Sequence, residues 1–259
     1  MRSTWLVALI GVAVLAMPAA QCSVLISDWD GGGPVPGSTI FNQPTFSGST
    51  SGNIDPSVNS TTITTEMAFS GTQSLKVDLL WKDADPARWC RLTPYGNASA
   101  YGRNPTIDFT KALTMRMFVA SEDALAIAMT ARETGTTKEI GENGGTSGGI
   151  EFIGSETGAP PTPLPQHVIT PGSWQDLTFF LPWEPVKAFA GATADGVLSS
   201  ATMKGVIDSL SIRSPGTGKR VTIYIDDLRQ ADLAEVPEPG TMALLGLGVL
   251  PLLARRRKA

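Results

Sequence analysis

Alternating apolar and polar positions dominate the middle of this 259-residue chain. Leu75, Val77 and Leu79 alternate with Ser74, Lys76 and Asp78, the period of a strand with one buried face. Leu113, Met115, Met117 and Val119 alternate with Thr114 and Arg116 in the same way. So do Val221, Ile223 and Ile225 with Thr222, Tyr224 and Asp226. These runs predict strands over 74–81, 113–120 and 220–228. Further strands are predicted over 24–26, 63–69, 87–93, 125–131, 150–153, 174–181 and 207–213, the last with clean alternation. Gly71 supplies the turn of a hairpin, and Pro171-Gly172 turns the chain into 174–181, where Trp174, Leu177 and Phe179 read as apolar anchors and Trp174 as core. Only 197–205 has a brief helical character. Many short strands, punctuated by Gly and Pro, predict an all-β sandwich.

The two ends break this pattern. After Arg2, positions 5–17 are almost wholly apolar and lead into Pro18-Ala19-Ala20-Gln21-Cys22, the order of a secretory signal peptide over 1–22, cut after Cys22 or Ala20. At the other end, Val236-Pro237-Glu238-Pro239-Gly240 precedes an apolar run over 242–254 and then Arg255, Arg256, Arg257 and Lys258. The prolines exclude a helix through the triplet. The apolar run can enter a bilayer, with the basic end left on the cytoplasmic side. It is shorter than the roughly 20 residues of a comfortable span, which suits a transient signal better than a permanent anchor. Domains are therefore read as 1–22 signal peptide, 23–235 β-sandwich body and 236–259 sorting tail.

The tail resembles the PEP-CTERM protein-sorting domain of Gram-negative bacteria, also catalogued as an ice-binding-protein C-terminal domain. Pro237, Glu238 and Pro239 correspond to its motif, and Arg255 to Lys258 to its basic end. With the signal helix read at the front, the tail's apolar run is taken as a short transmembrane helix at the back. Signal peptidase and an exosortase-type membrane protease would be the processing partners. It also implies transient passage through the inner membrane, then the cell surface or extracellular matrix. The Thr61–Thr65 patch is too short for the flat threonine array that ice binding requires.

Charge sharpens the picture. The chain holds 20 Lys+Arg and 24 Asp+Glu. Arg2 and the four tail cations leave with the signals, so 15 cations stay; Glu238 also leaves, so 23 acids stay, and the body carries −8. An acidic body without a basic run argues against nucleic acid and anionic membrane as partners. Cys90 is the one cysteine certain to stay in the body, so no disulfide framework holds it.

Within the body, Ser27-Asp28-Trp29-Asp30, Gly71 to Val77, Pro171-Gly172-Ser173-Trp174 and Tyr224-Ile225-Asp226-Asp227-Leu228 resemble the galactose-binding-like jelly roll, common among carbohydrate-binding modules. That resemblance implies a jelly-roll β-sandwich and a structural calcium held by Asp28 or Asp30, the turn at Gly71, and Asp226; calcium accepts several hard oxygen ligands. The alternative is that Asp226 and Asp227 end a strand and accept loop N–H bonds.

Sugar recognition needs aromatic faces with polar groups beside them. Trp81, Trp89, Tyr95, Tyr101 and Trp183 are the candidates, with Lys82, Asp83, Asp85, Arg88 and Arg91 as neighbours. Core packing of Trp81 and Trp89 is the alternative. His167, the only histidine, sits in a Pro-rich connection and reads as a loop residue, so no His-based metal site or Ser-His-Asp arrangement is available. Glu133, Glu139, Glu142 and Glu151 flank a Gly-rich segment and read as solvated loop acids rather than a glycosidase pair. The expectation is a non-catalytic protein that binds extracellular polysaccharide. The alternatives are a glycan-active enzyme using the acids between Arg132 and Glu156, and a structural matrix protein without a ligand.

Overall fold

A computed structural model of the chain describes residues 23–31, 41, 50–93, 105–133, 149–155 and 165–235. The signal segment, the tail, Tyr95, Tyr101, Glu139 and Glu142 lie outside the described residues. No described helix is long and apolar enough to cross a membrane.

Thirteen strands are described: β1 (Val24–Ser27), β2 (Ser60–Thr64), β3 (Ser74–Leu79), β4 (Trp89–Leu92), β5 (Thr106–Asp108), β6 (Ala112–Val119), β7 (Leu125–Glu133), β8 (Ile150–Ile153), β9 (His167–Ile169), β10 (Trp174–Phe180), β11 (Val186–Ala190), β12 (Lys204–Arg213) and β13 (Val221–Ala231). They form two antiparallel sheets. The six-stranded sheet has the order β10-β6-β13-β3-β2, with β1 also on β13. The seven-stranded sheet has the order β11-β8-β7-β12-β4, with β5 on β12 and β9 on β7. The all-β sandwich is the architecture the alternation predicts.

The core lies between the sheets. Leu75, Val77 and Leu79 of β3, Leu113 to Val119 at alternate positions of β6, and Val221, Ile223 and Ile225 of β13 are at most 1% exposed. Facing them are Ile127 and Met129 of β7, Leu210 and Ile212 of β12, and Cys90 and Leu92 of β4. Burial of this apolar surface supplies the main driving force for the fold.

Several local expectations change. β2 starts and ends earlier than 63–69, at Ser60–Thr64. Of the stretch 197–205, residues 197–203 form bends and turns rather than a helix, and β12 begins at Lys204. Three strands arise where none was predicted: β5, β9 and β11. His167 therefore lies in a strand rather than a loop. Its Nε2 is 3.0 Å from Glu184 Oε2, and its ring packs 4.5 Å from that of Phe179.

Candidate functional site

A strand that faces the core on one side has a second side to dispose of. In β4 the core takes Cys90 and Leu92, so Trp89 and Arg91 point the other way, out of the sandwich. In β12 the register shifts between Ile207 and Ser209, which corrects the clean alternation expected there. This bulge leaves Ile207 and Leu210 inside and re-aims Asp208 onto the outer face with Ser209 and Ser211. Thr130 and Ala128 of β7 stand opposite Ser209 and Ser211, and Phe152 of β8 stands opposite Thr130.

These residues build one constellation. Asp208 accepts hydrogen bonds from Arg91 Nη2, Arg132 Nη2 at 3.3 Å and Thr130 Oγ1 at 3.1 Å. Arg91 Nε donates to Ser209 Oγ at 3.2 Å. Asp208 is 1% exposed, and two guanidinium groups on one buried carboxylate offset the cost of its desolvation. Beside the network the Trp89 ring lies 5.5 Å from Phe152 and 5.8 Å from Phe189. The Arg91 guanidinium sits 4.9 Å over the Phe189 ring. β4 and β8 are three strands apart, about 14 Å at the usual spacing, so the Trp89 ring reaches over β12 and β7 to meet Phe152. Ser211 Oγ is buried on this face without a hydrogen-bond partner. Charged forks, hydroxyls and aromatic rings on one face are the groups that recognise a polyhydroxylated ligand.

The other sequence candidates fall elsewhere. Trp81 continues the inward parity of β3, is 3% exposed and belongs to the inter-sheet core, so it is not available for stacking. Trp89 is equally buried but outside that core. Trp183 is 59% exposed and stacks on Phe180 at 5.8 Å. Trp174 faces outward rather than into the core, because Leu177 and Phe179 take the inward parity of β10.

Glu133 and Glu151 are buried, not solvated. Glu133 Oε1 accepts the Ser199 N–H at 2.5 Å, and Glu151 Oε1 accepts the Asp195 N–H at 2.7 Å. Desolvation pushes the Glu133 carboxyl up to about 7, with Glu151 and Asp195 adding repulsion. Burial likewise raises Glu151. Both side chains pin the 195–199 loop.

Of the three acids proposed for calcium, Asp226 and Asp30 do similar work on the β2–β3 loop, and Asp28 on the turn after β1. Asp226, fully buried, accepts N–H bonds from Phe69 at 2.8 Å and Ser70 at 3.0 Å on Oδ2 and from Asp227 at 2.7 Å on Oδ1. Asp30 accepts the Thr72 N–H at 3.0 Å. A Cβ on Gly71, at φ +61°, would lie 1.5 Å from Asp30 Oδ2, so this position requires glycine. Asp28 Oδ1 accepts the Asp30 N–H at 3.1 Å. Donors aimed at these carboxylates fit poorly with a cation between them. Among the described residues no group of three His, Cys, Asp or Glu is arranged to hold a metal.

Residues 235–258 match the PEP-CTERM protein-sorting motif. No curated protein matches the chain. Among solved structures, the chain is similar to a family 11 carbohydrate-binding module from Clostridium thermocellum, in complex with a beta-1,3-1,4-mixed-linked tetrasaccharide. The two are 11% identical over 83% of this chain and 97% of that one, with a TM-score of 0.43. The family 30 carbohydrate-binding module of a cellulosomal cellulase of the same organism is 13% identical over 76% and 90%, with a TM-score of 0.33.

Proposed function

We propose that this is an exported, surface-sorted, non-catalytic protein that binds extracellular polysaccharide through the outer face of its seven-stranded sheet. Signal peptidase and an exosortase-type protease would process its ends, and the sorting motif at 235–258 supports that route. The observation that carries the binding reading is the Arg91–Asp208–Arg132 cluster beside Trp89, Phe152 and Phe189, on the side of the sheet that the core does not use. A folded sandwich has no packing need for a buried ion-pair cluster there, since apolar residues of similar volume stabilise at least as well. The cluster instead holds donors for hydroxyls, and Trp89 a ring for sugar C–H groups. Trp89 is 3% and Arg91 8% exposed, so in this reading a saccharide meets the Trp89 ring and the cluster only after this face of the sheet opens. This reading needs no calcium, since Asp28, Asp30 and Asp226 already take backbone N–H donors.

Hydrolysis is the weaker reading, because Glu133 and Glu151 already accept loop N–H bonds. A glycan array probed with the protein, with and without calcium, tests the proposal. A saturable signal that Trp89→Ala and Arg91→Ala each weaken supports it. Absence of binding in both conditions turns the reading to a structural matrix protein, and release of reducing ends turns it to an enzyme.

A further inference from the structure

The opposite side of the molecule carries a second aromatic set that the first site does not use. β10 turns Trp174, Asp176, Thr178 and Phe180 outward, where they stand opposite Phe118, Arg116, Thr114 and Ala112 of β6. The Trp174 ring lies 5.8 Å from Phe118 and 5.8 Å from Phe69, and Phe118 lies 6.3 Å from Tyr224. Phe69 is 43% exposed. The Arg116 guanidinium backs its ring at 4.2 Å and pairs with Asp176 at 2.6 Å. At the far end of β10, Phe180 and the exposed Trp183 stack with an interplanar angle of 25°.

Trp174 and Phe180 are six residues apart on one strand, which is about 20 Å at 3.3 Å per residue. Two aromatic groups thus bracket a polar stretch made by Arg116, Asp176, Thr114 and Thr178. Outward positions of a solvated antiparallel sheet are ordinarily polar throughout, so aromatic residues at both ends of one edge strand need a reason. A second copy of the chain is a poor occupant, since the Arg116–Asp176 pair sits mid-strip and interface cores are depleted of charge. A saccharide chain suits it: rings stack at both ends and hydroxyls meet the ion pair and threonines between.

We propose that the outer face along β10 and β6 is a second binding site for an extended polysaccharide chain, so that one molecule bridges two chains through its opposite faces. The ligand class and the bridging rest on the reading of the first site; the location does not. The test is affinity electrophoresis of the full chain in mild detergent, through native gels cast with hydroxyethylcellulose, xylan or alginate. The viscosity of the same polymer solutions is read in parallel. Phe69→Ala and Trp183→Ala remove exposed rings, with circular dichroism as the folding control. Each is expected to weaken retardation about tenfold or less, the range of one lost aromatic contact. The pair together is expected to leave Trp89-dependent binding but abolish the rise in viscosity. Retardation and viscosity unchanged in the double variant overturn the second site and leave the first standing. No retardation of the parent chain in any gel overturns both.

Discussion

Asp226→Asn is the sharpest probe of how the exposed aromatic end is held. The side chain is fully buried, and its two oxygens take three backbone N–H bonds, two of them from Phe69 and Ser70. Hydrogen bonds to a charged acceptor contribute about 1.5–3 kcal/mol each, and a buried donor left without an acceptor costs about 1–3 kcal/mol. An amide keeps one oxygen for Phe69 and Ser70, as a weaker acceptor, and presents an NH2 to the Asp227 N–H. Against this, burial raises the pKa of Asp226 more than the N–H donors lower it, so removing the charge recovers part of its desolvation. The net expectation is a loss of about 2 kcal/mol, or roughly 4–8 °C in Tm for a body of this size. Urea unfolding followed by tryptophan fluorescence at pH 7 measures it, with and without EDTA. The N–H arrangement predicts that EDTA leaves the parent protein unchanged. If EDTA lowers the parent to the level of the variant and does nothing more to the variant, Asp226 holds a cation and the reasoning fails.

Three other outcomes follow from the same geometry. Glu133 titrates near 7 in the fold against an ordinary 4.5. Its contribution to stability is therefore complete below about pH 4.5 and is lost as pH rises through 7, by at most about 3 kcal/mol. Glu133→Gln should flatten the fall in urea midpoint between pH 4.5 and 8; an unchanged slope would assign it to other groups. Cys90 is buried, and desolvation pushes its thiol up to about 12, so it should be silent to a thiol reagent at pH 8 until urea unfolds the chain. Rapid labelling of the native protein contradicts that burial. Asp208→Ala removes the carboxylate that Arg91 and Arg132 share and should cost about 3–5 kcal/mol. A loss below 1 kcal/mol by urea titration would mean that the cluster is not desolvated as described.

How much of this was legible depended on whether period two ran unbroken. In β3, β6 and the 221–225 part of β13 it did, and the buried faces are the ones the alternation predicts; beyond Asp226 the register of β13 shifts and Leu228 enters the core. The same rule, carried further, places Trp81 in the core, since it continues the parity of Leu75, Val77 and Leu79. It also turns Trp174 outward, because Leu177 and Phe179 share the other parity. The short edge strands β9 and β11 carried no such signal: β11 is half-buried at every position. The Asp208 bulge was illegible for a different reason. Ile207-Asp208-Ser209-Leu210 carries no residue that marks a bulge, and only the pairing with β7 shows where the extra residue falls. Glu151 reads as solvated by default, since its N–H partners at Asp195 and Gly196 lie 44 and 45 residues away.

Those buried acids also explain a body that is acidic yet has no disulfide. Glu133, Glu151 and Asp226 each reach across to a loop and accept its backbone N–H groups, where a small exported domain often uses a cystine. A carboxylate can do this because several lone pairs satisfy donors that burial would otherwise orphan. The cost is desolvation, which raises the pKa of all three, so their stabilisation grows as the medium turns mildly acidic. The exposed acids behave oppositely. Hydrogen bonds to Arg88 and the Asp85 N–H hold Asp83 down to about 2, and Lys76 and Tyr224 lower Glu66. Their contributions are present above the ordinary carboxylate range and are lost as pH falls below it. The two groups pull in opposite directions, so the fold should be most stable near the ordinary carboxylate range and should weaken as pH rises from there toward the raised pKa of Glu133. Loop clamps made of carboxylates thus tie the stability of the Phe69 end and of the 195–199 loop to the acidity of the medium around the cell.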